Sequence, residues 1–322
     1  MNRFRPHHPS YTALAGVAAL TALLWSATSA FSLTIRYERT LELSQDHDGR
    51  ARPVAVSCDG NQGEICVTES AYSALHVFNA AGVETFRTGG FANLLSPNDG
   101  TVDHDGRLVA TTLIDGRRGT ISRLDIYGEP DGYRPEAPAD SWRPGHLIVM
   151  RDGHYLTLDT TSGLLAKHDA NTGALLWSAT IGDGQADDNT LEMDLGRPVE
   201  LGDGTICVPG GNLHVVLILS AEGKQLESFG RVGSSPGRMF FPVAAAAAPD
   251  GGLFVLDQLR HKILAFSAQH EFKYEYGSIG DAPGAFYHPV SMAADAAGHL
   301  YVAQGFKSRV QVFSVLADGA VE

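Results

Sequence analysis

The stretch Gly230-Arg-Val-Gly-Ser-Ser-Pro-Gly-Arg-Met-Phe-Phe-Pro242 returns, at an offset of 47 residues, as Gly277-Ser-Ile-Gly-Asp-Ala-Pro-Gly-Ala-Phe-Tyr-His-Pro289. A period of this length marks a chain built from stacked structural units. In each copy the glycines supply a tight loop, an aromatic residue is expected to anchor it, and the proline opens a strand where its missing N–H costs no ladder bond. The residues downstream of each copy repeat as well: 243–266 and 290–313 both read as strand, turn, strand, short gap, strand.

Working outward, prolines that lead a strand stand at Pro53, Pro97, Pro144, Pro198, Pro242 and Pro289, spaced by 44, 47, 54, 44 and 47 residues. A turn glycine comes after each one: Gly60, Gly106, Gly153, Gly204, Gly251 and Gly298. All but the last are preceded by aspartate, the pair favoured by tight hairpins that need a positive φ. Short apolar runs flank these turns, among them Glu64-Ile-Cys-Val67, His154-Tyr-Leu-Thr-Leu158, Val215-Val-Leu-Ile-Leu219 and Val310-Gln-Val-Phe313. Units of about 45 residues holding up to four short strands are propeller blades. The spacing therefore predicts an all-β, six-bladed β-propeller over residues 31–322. The last unit has no room for a fourth strand, while Leu33–Leu43 alternates like a strand and has no blade of its own. Pairing of this segment with the 310–315 strand is expected to close the ring and satisfy both open edges.

The glycine-rich loop, the proline-started strand and the Val-Gln-Val-Phe third strand of the last two units resemble the NHL-repeat family of six-bladed propellers. The first and fourth units match moderately and the second and third poorly, so the specific motifs lie in the last third of the chain. One stretch, His168-Asp-Ala-Asn-Thr-Gly-Ala-Leu-Leu-Trp177, is similar to the repeat of quinoprotein propellers. It occurs once, and a single strand-turn-strand pattern does not carry a bound quinone.

The N-terminus places Arg3 and Arg5 ahead of an uncharged stretch from Tyr11 to Ile35, with small residues at Thr28-Ser-Ala30. Residues 1–30 read as a secretory signal peptide, or as a retained membrane anchor because the run is long enough to span a bilayer. Either way the propeller is expected outside the cytoplasm, periplasmic or secreted. The net charge of −13 becomes −15 without that segment. A chain this acidic repels phosphate backbones, so the basic-face RNA binding found in some NHL propellers does not transfer here, and nucleic acid is excluded as a partner. Of three cysteines, Cys58 and Cys66 flank the first Asp-Gly hairpin. A cross-hairpin disulfide between them is expected for an oxidising compartment, the alternative being two small apolar fillers. Cys207 has no evident partner.

In a propeller the loops leading into the inner strands rim one mouth of the central channel. The residues ahead of the strand-starting prolines are Arg52, Ser96, Arg143, Arg197, Phe241 and His288. Three arginines and a histidine in one ring would concentrate an anion, since guanidinium forks bind carboxylate or phosphate in bidentate fashion. The competing reading pairs them with the nearby acids Asp48, Asp140 and Asp194. The candidate ligand-binding set is Arg52, Arg143 and Arg197 as anion donors, His288 and His146 as pH-sensitive rim groups, and Asp99 as a rim acid.

Metal ligation is weighed separately. Asp46-His-Asp-Gly49 and Asp103-His-Asp-Gly106 are followed by Arg50 and Arg107 where a calcium loop needs an oxygen ligand, and the acidic run 183–194 has no recognisable ligand spacing. The peptide-amidating lyases, which resemble NHL propellers, hold zinc with channel histidines. Here only His146 and His288 fall at the channel mouth, and a catalytic zinc usually takes three protein ligands. No nucleophile elbow, zinc-protease helix or phosphate loop is present. The expectation is a non-catalytic binding module, without cofactor, for a protein, a peptide or a small anionic ligand. The alternative is a zinc- or calcium-dependent lyase or hydrolase centred in the channel.

Overall fold

The computed structural model describes residues 33–43, 51–59, 63–88, 94–114, 118–182 and 194–317. The leader segment, Gly60, Asp48 and all of the acidic run 183–194 except Asp194 lie outside them. Strand β1 is Leu33–Glu42. Blade one comes next as β2 (Pro53–Cys58), β3 (Ile65–Glu69), β4 (Ala74–Phe78) and β5 (Glu84–Arg87). Blade two is β6 (Asp99–Val102), β7 (Leu108–Ile114) and β8 (Arg118–Leu124), and blade three is β9 (His146–Val149), β10 (Tyr155–Leu158), β11 (Leu164–His168) and β12 (Leu175–Thr180). Blade four is β13 (Val199–Glu200), β14 (Ile206–Gly210), β15 (Val215–Leu219) and β16 (Gln225–Phe229). Blade five is β17 (Pro242–Ala247), β18 (Leu253–Asp257), β19 (Lys262–Phe266) and β20 (Phe272–Tyr276), and blade six is β21 (Ser291–Ala294), β22 (His299–Gln304) and β23 (Arg309–Ala317). Each blade is an antiparallel meander, and the whole is a six-bladed β-propeller. Among the described residues no helix is long and apolar enough to cross a membrane.

The ring closes as the sequence predicts. Strand β1 pairs antiparallel with β23, from Leu33 opposite Ala317 to Glu42 opposite Arg309. The register slips between Tyr37 and Arg39, so Glu38 is a bulge. One extra residue reverses which face the later side chains take. Leu33 and Ile35 therefore pack into the core between blades five and six, while Leu41 and Leu43 pack into the core between blades six and one. One strand thus seals two interfaces. The remaining clusters join blades one and two, two and three, three and four, and four and five. Each blade is buried on both faces, and the apolar sandwich runs around the whole ring.

The two repeated loops share one backbone path. Gly230, Gly233 and Gly237 have φ of 115, 147 and 75°, and Gly277, Gly280 and Gly284 have 98, 154 and 82°. In both copies the anchor is the first of the bulky residues, Met239 or Phe286, each wholly buried, while Phe240 and Tyr287 after it are exposed. A Cβ on Gly230 would stand 2.6 Å from Met239 Cε, and one on Gly277 would stand 2.4 Å from Phe286 Cε2. The expected Asp-Gly hairpins are longer than two-residue turns. At Gly106, Gly153, Gly204, Gly251 and Gly298 the glycine closes a four-residue turn with φ of 79 to 88°, the three-residue loop that ends in a left-handed residue.

Among the described residues blade two has no fourth strand. Its edge is covered by the segment 130–144, which bonds β8 at Asp131 N to Arg123 O (3.1 Å) and at Gly119 N to Trp142 O (3.0 Å). A Cβ on Gly119 would lie 2.4 Å from Pro144 Cδ. Only glycine lets this segment lie so close.

The cross-hairpin disulfide is not formed. Cys58 stands opposite Ile65 and Cys66 opposite Ser57, one step out of register. Neighbouring positions point to opposite faces of a sheet: Cys66 packs in the core between blades one and two, and Cys58 against the core between blades six and one. All three cysteines are free thiols. Burial, then the Asp99 carboxylate, pushes Cys66 up to about 12, and burial raises Cys207 and Cys58 as well. They are protonated fillers.

Candidate functional site at the channel mouth

Buried acids at the ends of three second strands hold the loops that rim the mouth. Glu69 accepts N–H bonds from Arg52 (2.7 Å), Ala71 and Tyr72 (both 2.8 Å). Asp159 does the same for Arg143 (2.9 Å), Thr161 (3.0 Å) and Ser162 (3.1 Å). Asp257 serves Phe240 (2.5 Å), Phe241 (3.1 Å) and Arg260 (3.1 Å). In blade six the amide oxygen of Gln304 takes Tyr287 N at 2.8 Å. All four side chains are buried. Charge-assisted bonds of this kind fix both the loop leading into the inner strand and the turn leaving the second strand. Sequence reasoning missed these residues. Their signal was available as an acid or amide ending four of the second strands, at Thr68-Glu69, Leu158-Asp159, Leu256-Asp257 and Ala303-Gln304.

Arg52 and Arg143 therefore occupy equivalent places, each with its N–H on a buried acid and its side chain exposed. Neither guanidinium has a carboxylate partner among the described residues. Arg52 lies over the ring of Phe306, 5.4 Å from its centroid. His288 meets the same ring edge-on at 5.0 Å, and its N–H donates to His261 Nδ1 at 3.2 Å.

Arg197 departs from the expected ring of donors. In blade four the carbonyl equivalent to that of Arg52 belongs to Asp194, which accepts Gly211 N at 2.7 Å, so Arg197 sits further along the chain and turns inward. Its Nε donates to Asp99 Oδ2 at 2.8 Å and its terminal nitrogen to Leu147 O at 2.8 Å. Asp99 is correspondingly no rim acid, since it is wholly buried. It also accepts Gly100 N (2.9 Å) and Leu147 N (3.1 Å), and His146 Nδ1 stands 3.4 Å from Oδ2. Burial alone would raise the Asp99 pKa. The Arg197 charge, the His146 contact and the Leu147 N–H outweigh it and hold the carboxyl below its ordinary range. His146 Nδ1 is buried and makes no hydrogen bond among the described residues, its approach to Asp99 being an ion-pair distance, while 24% of the side chain stays exposed.

Of the six residues singled out, the fold thus joins Asp99, His146 and Arg197 from three blades, brings Arg52 and His288 together across Phe306, and leaves Arg143 by itself. Among the described residues no three His, Cys, Asp or Glu side chains form a group able to hold a metal ion. The two mouth histidines are engaged apart, His146 with Asp99 and His288 with Phe306 and His261, so they do not fit the zinc centre of the alternative reading.

No protein-family model matches this chain, and no curated protein does. Solved structures do. A catalytically inactive virginiamycin B lyase from Staphylococcus aureus with quinupristin has a TM-score of 0.60 at 13% identity, covering 90% of this chain and 87% of that one. A gluconolactonase from Xanthomonas campestris has a TM-score of 0.62 at 14% identity, covering 87% of this chain and 91% of that one. A protein of unknown function from Bacteroides thetaiotaomicron reaches 0.65 at 10% identity, covering 88% and 77%. At such identities the likeness is one of fold, and that fold is the six-bladed propeller.

Proposed function

We propose that this chain is an NHL-type propeller, working outside the cytoplasm, that binds an anionic ligand or partner at its channel mouth. The observation that carries the reading is the pair Arg52 and Arg143, exposed at equivalent places with no carboxylate partner among the described residues, on loops already fixed by Glu69 and Asp159. Fixed loops hold a donor in place without an ordering cost at binding. Arg197 is excluded from this role because Asp99 neutralises it. The binding reading requires no cofactor. Citrate titrated calorimetrically into wild type and an Arg52→Glu/Arg143→Glu variant tests it. A loss of about tenfold or more is expected from removing two charge-assisted contacts, and unchanged binding removes the reading.

A second reading comes from His146. A partly exposed imidazole with Nδ1 toward a buried carboxylate has the arrangement of a general base and its orienting acid. The fold neighbours named as a lyase and a gluconolactonase add support for a catalytic role on this scaffold. Proton release from a panel of lactones and esters, compared between wild type and His146→Ala, decides it. Turnover that survives the substitution, or no turnover at all, leaves binding alone.

A further inference from the structure

We propose that the face of blades five, six and one beside the mouth is a docking surface for an acidic polypeptide segment that also carries aromatic or aliphatic side chains. This rests on the anion-binding reading and adds the class of partner. The linker that precedes each inner strand leaves Phe240 and Tyr287 exposed at 44% and 43%, and the turn after the second strand leaves Leu259 and Phe306 exposed at 49% and 52%. The same two loop positions in successive blades thus put large apolar groups into water on one side of the ring. Burial is the ordinary fate of such groups, and a contiguous exposed set marks an interaction surface.

Two cations, Arg52 and Lys307, and two imidazoles, His288 and His261, are interleaved with these rings. Arg52 covers Phe306, His288 meets Phe306 edge-on, His261 stacks on Tyr287 at 6.2 Å, and Lys307 Nζ lies 4.8 Å from the Tyr287 centroid. The continuous order is Arg52, Phe306, His288, His261, Tyr287, Lys307. Aromatic residues and arginine are the types enriched in protein interfaces. A guanidinium over a ring still has its N–H fork available for a carboxylate. Lys307 also pairs with Asp281 at 2.7 Å, but Asp281 is 67% exposed, and a partner carboxylate can replace it. The remaining acids of the patch do not repel an acidic partner: Asp257 is buried beneath three N–H groups and Glu275 lies between Arg260 and Lys262. Elsewhere the chain's net charge of −13 opposes such a partner, so the cations here also set its orientation. The rings are about half exposed, as on a surface and not at the bottom of a pocket, which suits a polypeptide better than an enclosed small molecule.

Fluorescence anisotropy with a labelled peptide of glutamates interrupted by two phenylalanines tests the proposal, with glutamine-for-glutamate and alanine-for-phenylalanine peptides as controls. Wild type should bind the first peptide more tightly than either control. Phe306→Ala, Tyr287→Ala and Arg52→Ala should each weaken it about tenfold, as interface anchors do, with at most a small loss of stability, because all three side chains are exposed. Binding indifferent to both ring substitutions, or an RNA oligomer bound equally well, overturns it. If citrate binding depends on Arg52 and Arg143 while peptide binding ignores the rings, the anion reading stands and this proposal falls. Citrate binding indifferent to both arginines removes the anion reading itself.

Discussion

Two kinds of buried carboxylate serve this ring, and they sit in different blades. Glu69, Asp159 and Asp257 end the second strands of blades one, three and five and are spent on backbone N–H groups of their own blade. In blades two and four the corresponding residues are Thr112 and Gly210, which carry no carboxylate. Those two blades instead supply Asp99 and Arg197, which meet beside blade three and hold Leu147 of that blade between them. The first kind of acid organises a loop within a blade, whereas the second ties three blades together. A backbone N–H cannot be mutated away, but Arg197 can, so the two kinds respond differently to rescue.

Removing Asp99 has the largest expected effect. Asp99→Ala strands a nearly buried guanidinium and should cost about 3–5 kcal/mol, read as a shift of the urea midpoint. Asp99→Leu with Arg197→Met should recover most of that loss, since a buried ion pair replaced by apolar groups of similar volume is close to neutral. If the double variant is as unstable as Asp99→Ala, the cost lies in the N–H groups of Gly100 and Leu147, and the contrast with the loop-holding acids disappears. Asp257→Ala comes next, at about 2–4 kcal/mol for three orphaned N–H groups. No second substitution should rescue it. Recovery by Arg260→Ala would show that Asp257 is a salt-bridge partner after all.

Stability should fall with acidity in two steps. Burial, opposed by a bond to Glu84, holds His76 below its ordinary 6.5. Burial, opposed by the Glu136 carbonyl, does the same for His168. The unfolded chain then takes up these protons first, so their contribution is full above about pH 6.5 and is lost as pH falls from there. Asp99 and Glu275 are held below the usual carboxylate range, because their cationic partners outweigh burial. Their contribution is full above about pH 4 and disappears below it. Urea midpoints measured from pH 8 to pH 3 should show a first decline that His168→Gln reduces, and a steeper second one that Asp99→Leu/Arg197→Met reduces. A single step centred near neutral pH would contradict both assignments.

The blade count, the closing strand and the role of the two glycine loops could be read from the sequence because period, proline spacing and strand alternation are local and repeated. The bulge at Glu38 could not, because Leu33, Ile35, Leu41 and Leu43 share one parity and imply a single face. The disulfide expectation failed for a related reason: flanking a hairpin says nothing about register, and one step separates Cys58 from the residue opposite Cys66. At the mouth, placement before a proline identified Arg52 and Arg143 but misplaced Arg197, whose loop is set differently against β14. That Asp99 and Arg197 meet is a fact of how three successive blades are set side by side, since the residues stand 98 apart in the chain.

The smallest effects are expected at the rim, where the comparison is sharpest. Arg143 has no ion-pair partner among the described residues, so Arg143→Ala should change stability by less than about 0.5 kcal/mol, as is usual for exposed sites. Arg52→Ala gives up a ring contact and should cost about 0.5–1 kcal/mol. Both values are well under those expected for Asp99 and Asp257, although the N–H groups of both arginines are held as firmly as any in the ring. On the anion-binding reading proposed above, a side chain that contributes almost nothing to folding, carried on a loop fixed by a buried acid, serves the ligand. If chemical unfolding shows Arg143→Ala to cost more than about 1.5 kcal/mol, the range of charged hydrogen bonds, the guanidinium is structural and the anion site loses half its donors.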